Sequence, residues 1–386
     1  MVKAQRANCS NERILGMTNG YPLIDNVDNP YCYVIAEAGV NHNGDLMLAH
    51  DLVDAAVEAG ADAVKFQTFK SENLVTETAK RAEYQIRNLG EDGSQIEMLK
   101  ALELSPEAHF ALKDQCKSQG IDFMSSPFDK ESLDFLVGPL DLKRIKIPSG
   151  EITNGPFLLD IARTGRPVIL STGMATTDEI NVALGVLARG FLGLKMPSSG
   201  EGIALILSRE DTKAELRKNV AILHCTTDYP ALPETLNLRA IDTLRNTFGL
   251  VTGFSDHSEG IAVPIAAVAR GAKIIEKHMT LDKSMVGPDH KASLEPTEFN
   301  AMVKGIRTVS QAMGDGRKTP KDVELKNRPI ARKALVAACP ISSGDVLGDH
   351  NLAAKRVGDG MSPMLHWSLT GKVASRDYDA NDMIDE

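Results

Sequence analysis

Eight short apolar runs, each followed by a longer amphipathic stretch, recur between residues 33 and 280, and this alternation constrains the fold more than any other feature. The runs are YVIAEAG (33–39), AVKFQT (63–68), DFMSSPF (122–128), RIKIPSG (144–150), PVILSTG (167–173), AILHC (221–225), LVTGFSD (250–256) and KIIEKHMT (273–280). Between them lie segments such as MLAHDLVDAAVEAGA, PEAHFALKDQCKSQG and TDEINVALGVLARG, where apolar residues recur at three and four and glycine follows the last turn. Strands that are apolar almost throughout are buried on both faces, which requires a parallel sheet covered by helices. A (β/α)8 barrel of the TIM type is therefore the expected α/β architecture, with an open doubly wound sheet as the competing arrangement. The barrel is preferred because polar residues end strands all around the unit instead of gathering at one switch point.

Those strand ends carry the chemistry. Glu37, Lys65, Phe128, Lys146 with Ser149 and Glu151, and Ser171 finish successive runs, and GFSDHSEG (253–260) and IIEKHMT (274–280) each supply a histidine. A packed core gives no reason to end strand after strand on charged or hydroxyl groups, whereas a site assembled at the C-terminal mouth of a barrel does. His257 and His278, on consecutive strands, would converge on one divalent ion and leave its other positions to water and substrate oxygens. The alternative is that they only hydrogen-bond within a polar core. Lys65 lies between Val and Phe and Lys146 between two Ile residues, so neither ammonium reaches water unless it faces the mouth. With Ser149, Ser171 and Ser255 they offer donors for a phosphate or carboxylate; pairing with Glu37 or Glu151 and a Schiff-base role are the other readings. Glu37 and Glu151 suit a general base, a sugar-hydroxyl acceptor or a salt bridge. His50, His109, His350 and His366 read as surface or core residues, and His42 and His290 as loop residues near the mouth.

The 386 residues exceed a barrel of roughly 250, and they divide into a 1–30 extension, a 31–314 barrel, a 315–330 linker and a small β-rich module over 331–386. Residues 191–219 form a long helix-to-strand connection, expected on the barrel face opposite the chemistry with a short helix near Arg209 to Lys218. A net charge of −9 without a long basic run argues against nucleic acid and toward small-molecule partners. Five widely spaced cysteines without a CxxC pair support neither a disulfide framework nor a thiolate zinc site. With no apolar stretch near the roughly 18–20 residues of a membrane span and no apolar core in MVKAQRANCSNER, a cytoplasmic protein is expected.

The segments IAEAGVNHNGD, AVKFQTFK, SSPFD, KIPSGEITN, ILSTGMAT, LHCTTDYP, GFSDHSEG, IEKHMTLDKSMVGPDHKASLEP and KRVGDGMSP, in this order over residues 33–386, resemble those of the sialic acid synthases. Within that family the wording is similar to bacterial N-acetylneuraminate and N,N′-diacetyllegionaminate synthases, and EITN with HCTTDYP favours the second. The resemblance implies a metal-dependent condensation of phosphoenolpyruvate with an open-chain N-acylated mannose-type sugar. His257 and His278 match the ligands of Mn2+ or Mg2+. Lys65, Lys146, Ser149, Ser171 and Ser255 match positions that bind phosphoenolpyruvate. Glu37 and Tyr229 match the sugar side or its neighbourhood, Phe128 lines that pocket, and Gln67 and Asp289 join the substrate-binding set. Glu151 is a candidate for handling the proton of the attacking water. Thr227 stands where some relatives have Asn, which puts a phosphate contact there in doubt. The C-terminal module resembles the antifreeze-like (SAF) domain of these enzymes, and Arg356 matches an arginine that reaches a partner subunit's sugar site in a domain-swapped homodimer. Two other functions compete with this one: a Schiff-base aldolase using Lys65 or Lys146, and a non-catalytic sugar-binding protein.

Overall fold

The computed structural model of the chain describes residues 31–90, 93–197 and 201–385. The 1–30 extension expected from the sequence lies outside the described residues. The chain folds as two compact units, the first ending at Asp315 and the second running from Gly316.

The first unit contains β1 (Tyr33–Gly39), β2 (Ala63–Thr68), β3 (Asp122–Pro127), β4 (Ile145–Ile147), β5 (Val168–Ser171), β6 (Val220–Cys225), β7 (Val251–Asp256) and β8 (Ile274–His278). They pair in parallel in the order β3-β2-β1-β8-β7-β6-β5-β4. Because β1 bonds to both β2 and β8, the first strand meets the last and the sheet curls into a barrel. Among the described residues the hydrogen-bonded ladder is interrupted only between β3 and β4.

Alternation with period two decides what fills the barrel. Tyr33, Ile35, Ala63, Met124, Ile169, Ala221, Leu223 and Ile274 form one apolar cluster inside it. Two residues further along the same inward rows come Glu37, Lys65, Ser171, Cys225 and Glu276, and Lys146 of β4 joins them through its bond to Ser171. The intervening residues, such as Val34, Val64 and Ile275, pack outward against the helices. Gly253 is required where β7 crosses β8, because a Cβ there would sit 2.4 Å from the carbonyl oxygen of Ile274.

Helices start where short polar side chains satisfy their free N–H groups. Asp45 accepts from Met47 N at 2.7 Å before the helix Leu46–Glu58. Thr176 and Glu179 form a capping box at the start of Thr177–Phe191. The helix expected near Arg209 to Lys218 is present as Glu210–Asn219, preceded in the same insertion by Glu201–Ala204 and the 3-10 turn Leu205–Ser208. No helix among the described residues is long and apolar enough to cross a membrane.

The second unit holds β9 (Ala334–Ala337) and β10 (Leu352–Lys355), an antiparallel pair. Leu335, Ile341, Leu347, Leu352, Leu369, Ala374, Tyr378 and Ile384 make its core. Within the stretch read as a linker, residues Asp322–Ala331 are helical yet bury no side chain. That helix is held by its own capping interaction, Lys321 N donating to Glu324 Oε2 at 2.8 Å, so no apolar periodicity announced it.

Candidate active site

Four buried charges occupy the barrel above the apolar layer. Register places Glu37 beside Lys65 on one side and His278 on the other, and Lys65 Nζ lies 2.5 Å from Glu37 Oε2. Glu276, on β8, faces both ammoniums, 3.7 Å from Lys65 and 3.3 Å from Lys146. Hydroxyls complete the set: Lys65 donates to Ser126 Oγ (3.2 Å), Lys146 to Ser171 Oγ (2.8 Å), and Ser255 Oγ to Glu276 Oε1 (2.9 Å). Two carboxylates and two ammoniums cancel, which is what makes so much buried charge tolerable.

The two carboxylates are driven apart. Burial raises Glu37 to about 7, Lys65 only partly opposing the rise and the nearby charge of Glu276 adding to it. Burial also acts on Glu276, but Lys146 and Lys65 outweigh it and hold its carboxyl at about 2. Glu37 can therefore take or give a proton near neutrality, while Glu276 stays charged. Burial pulls the Lys65 ammonium toward neutrality, but Glu276 and Glu37 overcome it and leave the group raised. For Lys146, facing one carboxylate, burial wins and its pKa is lowered.

His257 and His278 stand at the mouth, ring centroids 5.5 Å apart. His257 Nδ1 lies 2.6 Å from the carbonyl oxygen of Thr226. A carbonyl can only accept, so Nδ1 carries the proton and Nε2 keeps its lone pair. His278 Nδ1 is buried without a hydrogen-bond partner, 4.0 Å from Asp289 Oδ2. Burial lowers both imidazoles, His257 to about 4, and raises Asp289 to about 6 against the pull of Lys65. Two neutral imidazoles with free lone pairs fit a divalent cation, although no group of three or more His, Cys, Asp or Glu among the described residues could hold one unaided. The Tyr229 ring packs 4.1 Å from His257 and 4.9 Å from Tyr84, on the helix Glu83–Leu89. Asn88 of that helix donates to the carbonyls of Tyr229 (3.3 Å) and Pro288 (2.6 Å), tying the surrounding loops together.

Beside Lys146 lies a small cradle. Gly173 N donates to Ser149 Oγ at 3.0 Å, and Ser149 Oγ meets Cys225 Sγ at 3.0 Å. A Cβ on Gly173 would come within 2.5 Å of Thr227 Oγ1 and 2.8 Å of both Cys225 Sγ and Ser149 Oγ, so only glycine fits.

The structure thus brings together Glu37, Lys65, Lys146, Ser171, Ser255, His257, His278, Tyr229 and Asp289, with Ser149 and Thr227 at the edge. Gln67 reaches Glu37 at 3.5 Å. Two further expected residues make contacts of their own. Glu151 sits in the 3-10 turn Ser149–Glu151, where its carboxylate accepts from Asn154 at 2.7 Å. Phe128 packs edge-on against Phe69 and lines a separate cavity of about 550 Å3 with Asp129, Asn154, Phe157 and Asp160. Arg356 follows β10 in the second unit and is exposed. Glu276 and Ser126 were missed by sequence reasoning, and Glu276 had a signal: it stands two residues before His278 on the same strand, hence on the same face.

The model of the NeuB family matches residues 52–318. An N,N′-diacetyllegionaminic acid synthase of Campylobacter jejuni is 46% identical over 353 residues, covering 92% of this chain and 98% of its own. An N,N′-diacetyllegionaminic acid synthase of Legionella pneumophila is 44% identical, over 90% of this chain and 92% of its own. Among solved structures, an N-acetylneuraminic acid synthetase of Leptospira borgpetersenii, crystallised with citrate, superimposes with a TM-score of 0.64 at 31% identity, covering 78% of this chain and 90% of that one.

Proposed function

The chain belongs to the NeuB family of sialic acid synthases, and from that premise we propose the reaction: phosphoenolpyruvate condenses with an open-chain N-acylated mannose-type sugar, giving a nonulosonic acid and inorganic phosphate. It is a nonulosonic acid synthase, a transferase that forms a carbon–carbon bond. C3 of phosphoenolpyruvate bonds to the sugar's aldehyde carbon, water adds at C2, and phosphate leaves with cleavage of its C–O bond. The observation that carries the reading is the charge cluster of two buried lysines with bonded serines, joined through Glu37, which register sets beside both Lys65 and His278, to the pair of imidazoles.

Lys146, Lys65, Ser149, Ser171 and Ser255 bind the phosphate and carboxylate of phosphoenolpyruvate, the ammoniums shifting part of their pairing from Glu276 to the substrate. Glu37, poised near neutrality beside the histidines, handles a proton on the sugar side, with Gln67, Tyr229 and Asp289 orienting that substrate. Glu151, held by Asn154, is assigned to the proton of the attacking water, and Thr227 to the pocket wall. His257 and His278 would hold the divalent ion, Mn2+ or Mg2+. Bound there, it would polarise the sugar's carbonyl oxygen.

The names borne by the Campylobacter and Legionella relatives favour 2,4-diacetamido-2,4,6-trideoxymannose over N-acetylmannosamine as the sugar, with N,N′-diacetyllegionaminate as product. Beyond the barrel we read residues 331–386 as an antifreeze-like (SAF) domain joined by the 315–330 stretch. It supplies Arg356 to the partner's sugar site in a domain-swapped cytoplasmic homodimer. The decisive test offers phosphoenolpyruvate with both sugars in competition and identifies products by mass spectrometry. Preferred formation of N,N′-diacetyllegionaminate is expected. Preferred N-acetylneuraminate overturns the sugar assignment, and no phosphate release with either overturns the reaction.

A further inference from the structure

Asp256 and Lys277 form an ion pair that the reaction does not use. Each immediately precedes one histidine of the pair, and by alternation each points the opposite way, out of the barrel. Register sets them directly opposite one another on β7 and β8, with Lys277 Nζ 2.7 Å from Asp256 Oδ2. Both side chains are 0% exposed.

Their other bonds run to the backbone beyond the histidine. Lys277 Nζ also donates to the carbonyl oxygen of Ser258. Asp256 Oδ1 accepts from Ser258 N (2.9 Å) and Ser258 Oγ (2.7 Å). The chain is thus gripped on both sides of His257, and the lysine delivering the grip is covalently next to His278. The carbonyl of His257 accepts from Ala231 N (2.9 Å) and that of His278 from Leu294 N (2.9 Å). A buried ion pair is by itself weak evidence of a stabilising role, since apolar residues of similar volume often serve a buried site as well.

We propose that Asp256 and Lys277 are positioning residues, an outer clamp that fixes the separation and orientation of His257 and His278 for cation binding. The inference rests on the proposed role of the two histidines. Partners that orient metal-binding histidines are typically worth 10- to 100-fold in affinity.

The test titrates Mn2+ into the full-length chain by calorimetry, comparing wild type, His278→Ala and the double variant Asp256→Val/Lys277→Met, each with a thermal melt. The clamp predicts that the double variant still folds, with a lowered melting temperature because buried Ser258 loses its partners, yet binds Mn2+ at least about tenfold more weakly. Phosphoenolpyruvate affinity without metal is expected to be unchanged. Equal Mn2+ affinity in wild type and His278→Ala would overturn the histidine assignment itself. If His278→Ala loses binding while a folded double variant keeps wild-type affinity, the clamp alone is overturned. Should the double variant not fold, Ser258→Ala decides, because it deletes one bond to Asp256 and leaves the ion pair. Binding weakened at least about threefold supports the clamp, the low end of what one hydrogen bond is worth, and unchanged binding overturns it.

Discussion

Replacing the two barrel lysines one at a time with methionine separates substrate binding from stability. Lys65 is held by two carboxylates, at 2.5 and 3.7 Å, whereas Lys146 faces one at 3.3 Å. Lys65→Met strands Glu37 with only the 3.5 Å contact from Gln67. A buried carboxylate left without its cation costs about 3–5 kcal/mol. Glu37 softens this by taking a proton near pH 7, so about 3 kcal/mol is expected, or roughly 4–5 °C in melting temperature for a unit of this size. Lys146→Met leaves Glu276 its Lys65 partner and the Ser255 hydrogen bond, so the fold loses less. What it does lose is the less neutralised ammonium. A charge-assisted contact worth about 1.5–3 kcal/mol lowers kcat/KM for phosphoenolpyruvate by about 10- to 150-fold. Phosphate release at saturating sugar and varied phosphoenolpyruvate measures the second effect, and thermal melts the first. The reasoning is refuted if Lys146→Met keeps kcat/KM within about twofold of wild type, or if it destabilises the fold more than Lys65→Met does.

Four further outcomes are expected. His257→Ala and His278→Ala should each abolish metal-dependent turnover while the far-ultraviolet spectrum stays native, and full activity in a metal-stripped wild type would contradict the assignment. Gly173→Ala should raise KM for phosphoenolpyruvate, since its methyl group would displace Ser149, Cys225 or Thr227; unchanged kinetics would show that the cradle yields. Mixing Arg356→Ala with Lys146→Ala subunits should restore roughly a quarter of wild-type activity if Arg356 acts in trans, and none in verified heterodimers if it acts on its own barrel. Burial lowers His42 to about 4, below the 6.5 of an unfolded histidine, so the unfolded chain takes the proton first on acidification. Its contribution is complete above pH 6.5 and drains away between 6.5 and 4, about 2 kcal/mol of it by pH 5, and denaturant midpoints for wild type and His42→Gln should converge across that range.

The eight strands were legible because each lies buried on both faces and so reads as an unbroken apolar run, and their polar ends marked the mouth. Glu276 carries a fainter signal, found by counting back two residues from His278, because an acidic residue inside an apolar run does not by itself mark the mouth. Asp256 and Lys277 left no such trace. Charged residues on the outer face of a barrel strand contradict the apolar expectation, and their pairing appears only once register aligns β7 with β8. His109 is a core residue as expected, bonding Thr68 Oγ1 at 2.8 Å. His290 ties loops together, through Thr280 at 2.7 Å and Asn43 at 3.3 Å. The direction taken by Glu151 depends on a three-residue turn, which carries no periodicity to read.

The interrupted ladder between β3 and β4 bears on motion. β4 has only three residues, Ile145 to Ile147, and its ladder partner is β5 alone. Hydrogen exchange is expected to reach the amides flanking that gap, through local opening, before it reaches β1 or β8, each bonded on both edges. Lys146 rides on this strand. A phosphoenolpyruvate molecule held by its ammonium would then do more than dock: it would slow exchange along β4 and β5, making substrate itself the latch that closes the barrel wall.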